Sequence, residues 1–142
     1  MSVLISYQDK QCTSEAGLAY LTWQLARRGW QVSAHDKTNR RSAKLKIVSL
    51  VHPVGLKVQS RAFSASAAVS LGSQITLVED LDFDVMAVTI NAKSDAPACF
   101  LLKREEVFAL MAKDPKGPGY WLDPPKYRRE EFQDRLADLM HW

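Results

Sequence analysis

The chain has 142 residues and a mass of 16.0 kDa, the length of one domain, with 46% hydrophobic and 25% charged residues. These values exclude a wholly disordered chain and a disulfide-stapled miniprotein, and no apolar run approaches the ~18 residues of a membrane-spanning helix. The net charge of +3 is unevenly spread: residues 27–61 carry +8, with Asp36 the one acid among nine basic residues, whereas residues 62–142 carry −4.

The N-terminal residues lack the basic and long apolar regions of a secretory signal, and Cys12 and Cys99 have no metal-ligand spacing. The expectation is a cytoplasmic protein with reduced thiols. Thr13 or Ser14 can cap a first helix, and Leu18, Leu21 and Leu25 form its apolar stripe. Gly29 suits the left-handed position that ends it. Residues 30–35 then alternate in polarity as a strand does, and residues 36–42 read as a polar loop. Residues 44–50 alternate again, with Leu45 and Ile47 on one face and Lys44 and Lys46 on the other. A turn containing His52, Pro53 and Gly55 leads to a third strand over 56–60, its expected hairpin partner.

Residues 60–70, rich in Ser and Ala, read as a connection or a small-residue packing surface. Residues 75–78 fit a short strand or a helix equally well. The nearly continuous apolar run at 84–90 predicts a buried strand, and 98–102 predicts another. A helix is expected over 103–111, then a loop over 114–125 with an extended piece at 120–122. A last helix is expected over about 127–140, with Phe132, Leu136, Leu139 and Met140 on one face. The order α-β-β-β-β-β-α-α predicts an α/β (α+β) fold, a mixed central sheet flanked by helices in a single domain spanning 1–142.

Several phrases in this order resemble the PD-(D/E)XK, or restriction-endonuclease-like, superfamily. SEAGLAYLTWQLARRGWQVS is similar to its opening helix and first strand, and AKLKIVSL with VGLKVQSRAF to its core hairpin. DLDFDVMAVTI, ACFLLKREEVFAL and YWLDPPKYRREEFQDRLADL are similar to its later strands and helices, so the resemblance covers roughly residues 13–140. It implies a metal-dependent phosphodiesterase site. An Asp opening the second strand and a Glu or Gln on the third would help hold magnesium, a lysine two residues later would act on water, and some members add a helix Glu. A hard cation needs such carboxylate oxygens.

Here Glu15 matches the helix acid, but Lys44 stands at the Asp position, Lys57 at the Glu/Gln position and Gln59 at the lysine position. Two ammonium groups replace two metal ligands, and unit charges 4 Å apart interact by about 4 kcal/mol at an effective dielectric near 20. The resemblance therefore implies a degenerate site with no metal and no cofactor. Three readings follow. A catalytically inactive domain would bind nucleic acid, DNA rather than RNA, through Arg40, Arg41, Lys44, Lys46, Lys57 and Arg61. An active magnesium-dependent nuclease would need a migrated acid, for which Asp36 is the candidate. A structural or homo-oligomeric interaction protein would keep the fold for its shape, with Lys44 or Lys57 paired to Glu15. A well-solvated basic face without a ligand is the plainer account of the charge.

Other motifs carry less. His35, His52 and His141 match no metal spacing, and Glu79, Asp80, Asp82 and Asp84 read as a solvated turn before a buried strand. No Gly-x-Ser-x-Gly elbow or Gly-rich phosphate loop is present. Tyr120, Trp121, Tyr127 and Phe132 are expected to pack the terminal helix, and Trp142 to cover an apolar patch or a dimer surface.

Overall fold

A computed structural model describes the backbone of residues 2–39 and 42–142, and the side chains of residues 9–33 and 43–142. Arg40 and Arg41 lie outside the described residues, as do the side chains of His35 and Asp36.

Helix α1 runs from Ser2 to Ala26, twelve residues longer at its start than a cap at Thr13 implies. Residues 2–12 contain neither Pro nor Gly, so nothing stops the helix there. Thr13 is mid-helix, and its hydroxyl donates back to the Asp9 carbonyl at 2.8 Å. The other end behaves as expected. Gly29 takes φ +95°, the Trp30 amide donates to the Leu25 carbonyl, and the Gly29 amide donates to that of Ala26.

Strands β1 (Gln31–Asn39), β2 (Ser42–Val48) and β3 (Leu56–Ala62) form an antiparallel meander. The first of them extends through half of the predicted polar loop. The chain then leaves for β4 (Val69–Ser73) and a 3-10 turn at Val78–Asp80, the ambiguous segment 75–78 being neither a strand nor an α-helix. Strand β5 (Val85–Ile90) returns parallel to β3, and β6 (Ala98–Lys103) adds antiparallel to β5. The result is a mixed five-stranded sheet in the order β1-β2-β3-β5-β6. Helix α2 (Arg104–Leu110) follows, then β7 (Ala112–Lys113) and β8 (Gly119–Leu122). These two join β4 in a second, three-stranded sheet that the sequence reading had reduced to one extended piece. The chain is α+β, with helices and a small sheet packed on a mixed sheet.

Strand alternation divides the interior in two. On one face Leu45, Ile47, Leu56, Val58, Val85, Ala87 and Leu101 meet Leu21 and Leu25 of α1. On the other face Met86, Val88, Ile90, Phe100 and Leu102 meet Val107 of α2, Val69 of β4 and Leu122 of β8. Gly17 sets how closely α1 approaches, because a Cβ there would lie 2.3 Å from the Ala62 Cβ.

The predicted C-terminal helix is broken. Helix α3 covers only Pro124–Tyr127, and 3-10 turns follow at Glu130–Phe132 and Arg135–His141. Asp134 breaks the path with a left-handed φ of 59°. The cause is the two-faced core: Tyr127 and Phe132 are buried in one half, Leu136 and Leu139 in the other. One helical stripe cannot serve both faces, so the chain rounds the edge strand β6, where Gln133 bridges Phe100.

Candidate functional site

The β2–β3 hairpin places the predicted cations. Its register sets Lys44 opposite Gln59 and Lys46 opposite Lys57, with Leu45 and Val58 between them pointing into the α1 core. Lys44, Lys46, Lys57, Gln59 and Arg61 therefore share the face away from α1. Glu15 does not join them. It is exposed on α1, on the other side of the sheet, where it accepts a hydrogen bond from Gln11. The carboxylate that meets the lysines is Asp82: its Oδ2 lies 2.6 Å from Lys44 Nζ and its Oδ1 3.4 Å from Lys57 Nζ. The lysine-to-Glu15 pairing is thus replaced by a Lys44–Asp82–Lys57 triad.

Parallel pairing explains why Asp82 is there. Strand β5 begins beside β3, and the lead-in is held by reciprocal backbone contacts. The Asp84 amide donates to the Lys57 carbonyl at 2.9 Å, and the Lys57 amide donates to Asp84 Oδ2 at 2.8 Å. The acidic run is the expected solvated turn before a buried strand, all four of its acids being exposed, and it is in addition clamped to the hairpin through Asp82 and Asp84. No local pattern in the sequence signals this contact, because β3 and β5 pair across a crossover.

Hydrogen bonding and the charge of Lys44, then Lys57, hold the Asp82 carboxyl below the usual carboxylate range. Asp80 is lowered too, by the Leu77 and Thr76 amides that donate to its Oδ2 at 2.9 Å each. Between these residues lies an open cleft of about 220 Å³, lined by Lys44, Gln59, Ser70, Asp80, Asp82 and neighbouring apolar side chains.

The remaining cations differ in role. Arg61 is almost fully buried, donates to the Ser70 carbonyl at 2.8 Å and lies over the Phe63 ring, so it ties β3 to β4. Lys46 is half-buried, and no carboxylate among the described residues lies within ion-pair distance of it. Asp36 is the register partner of Lys44 on β1.

The donor set does not fit a divalent metal. Both oxygens of Asp82 face the ammonium groups of Lys44 and Lys57, which compete with a cation for them. Among the described residues no group of three or more His, Cys, Asp or Glu side chains could hold a metal ion, and no helix is long and apolar enough to cross a membrane. No family model, curated protein or solved structure matches the chain.

Proposed function

We propose that the chain is a nucleic-acid-binding module of restriction-endonuclease-like descent that holds phosphates without cutting them. The observation that carries this reading is the cross-strand pair Lys46 and Lys57. Like charges directly opposite on a sheet destabilise it. Among the described residues, Asp82 is the carboxylate that serves Lys57 and Lys44 together, and none lies within ion-pair distance of Lys46. A phosphate chain laid along this face relieves that repulsion. Duplex DNA is the favoured partner, and no step of the reading uses a metal.

The test is fluorescence anisotropy with a labelled 20-base-pair duplex across a potassium chloride series, with magnesium cleavage followed in parallel. Wild-type binding should weaken steeply with salt. The Lys46→Gln/Lys57→Gln double variant should bind about tenfold more weakly, with the salt slope reduced by about 2. Unchanged affinity in the folded double variant defeats the proposal, and magnesium-dependent cleavage defeats its metal-free part.

A second reading is favoured by the burial of Lys44, whose side chain is only 16% exposed beside Asp82. In it the triad serves only to clamp β2, β3 and β5 together in an interaction protein. That reading predicts no affinity for nucleic acid at any salt concentration.

A further inference from the structure

The loop joining β2 to β3 ends the same hairpin in an apolar tip. Leu50 is fully exposed, and Val51 and Val54 are 73% and 81% exposed. The tip is nonetheless built rigidly. Ser49 and His52 exchange backbone hydrogen bonds at 3.2 Å, and the Ser49 hydroxyl accepts a further bond from the His52 amide. The His52 ring accepts the Gly55 amide at Nδ1, reaches the Trp142 main-chain oxygen from Nε2 at 2.6 Å, and lies 5.8 Å from the Trp30 ring. A fixed scaffold thus holds aliphatic side chains in water.

Three aliphatic side chains fall well short of the ~800 Å² per partner that a standard protein interface covers, which argues against a second copy of the chain. Charge favours a polyanion. Lys46 Cε passes 3.1 Å from where a Cβ on Gly55 would lie, so its ammonium is carried along the hairpin toward the loop. Lys46 lies two residues before the end of β2, so four residues at ~3.3 Å each set its backbone at most roughly 13 Å behind Leu50. The minor groove of B-form DNA is about 6 Å wide and about 7.5 Å deep. A narrow tip seated in it leaves the lysines level with the flanking phosphates.

We infer that the β2–β3 tip is a wedge that enters the minor groove of duplex DNA and unstacks a base step, with Leu50 leading. The inference rests on the nucleic-acid reading above and adds what the apolar loop does there. Apolar side chains inserted between base steps kink the duplex, most easily at flexible pyrimidine–purine steps.

The experiment uses the full chain and a 20-base-pair duplex with 2-aminopurine at a central TA step, alongside anisotropy and flotation with vesicles containing phosphatidylglycerol. Wild type should bind and raise the 2-aminopurine emission severalfold. Leu50→Ser/Val54→Ser, altering exposed side chains only, should still bind within about tenfold but leave the emission unchanged. Binding by wild type without unstacking, or equal unstacking by the double variant, overturns the wedge and leaves the phosphate-binding reading standing. Absence of wild-type binding overturns both. Flotation of wild type but not of the variant identifies the tip as a bilayer anchor and likewise overturns the wedge.

Discussion

At the residue scale, Asp82 is the connection that matters most for the cleft. Asp82→Asn leaves the largely buried Lys44 ammonium without its partner. Because Asp82 itself is 68% exposed, solvent screening holds the expected cost to about 1 kcal/mol, read by urea unfolding. The pH dependence has a definite sign. The folded carboxyl lies below its unfolded value, so its contribution is present above about pH 3.9 and is lost as pH falls through the folded value. The acid limb of the stability curve should therefore be shallower in Asp82→Asn than in wild type. Gly55 offers a sharper test. It holds φ +81°, and a Cβ there would lie 2.4 Å from the Ile47 carbonyl oxygen and 2.6 Å from Val48 Cγ1. Gly55→Ala should lower stability by about 2 kcal/mol or more, measured by thermal unfolding, because both strain and backbone contact oppose it.

At the element scale, one arginine ties the C-terminal turns to β6 and α2. Arg135 Nη1 donates to both oxygens of Glu106, at 2.9 and 3.1 Å, and to the Leu101 carbonyl, while its guanidinium lies 4.5 Å from the Trp142 ring centroid. Arg135→Ala should cost about 2 kcal/mol and raise hydrogen exchange selectively over residues 133–142, the signature of a segment that opens locally. This segment also shows where sequence reasoning stops. Strands with clean alternation, such as Lys44 to Ile47, and the nearly all-apolar β5 are legible because period and burial speak locally. The C-terminal region was not, since Phe132, Leu136 and Leu139 fit a helical stripe equally well until the sheet assigns them to opposite faces. The same limit hid Asp82: the lysine face could be read from strand parity, but its counterion is supplied by a parallel crossover that no local pattern encodes. The start of α1 failed for a different reason, since a cap-forming residue such as Thr13 is equally able to bond backward within a continuing helix.

At the scale of the whole molecule, α1 covers one face of the sheet, and the two cysteines report on that cover. Cys12 is exposed on α1, whereas Cys99 is buried in β6, where burial pushes its thiol up to about 12. A thiol reagent at neutral pH should label one site rapidly and the other only as fast as the protein unfolds. The labelling rate at Cys99 should therefore rise with urea in step with global stability. Equal rates at both cysteines would mean that the α1 face opens on its own.

The second sheet has a consequence for how the chain is made. Strand β4 pairs with β8, with Val69 opposite Leu122, and Tyr127 donates its hydroxyl to the Ala67 carbonyl across sixty residues. During synthesis, at ~5–20 residues per second, β1, β2 and β3 can pair as soon as they emerge. The β4 segment must wait several seconds for the part of the chain that completes it. Until then Val69 and Phe63 lack their final cover, and a nascent chain stalled before residue 119 exposes part of the core half that packs against the second sheet.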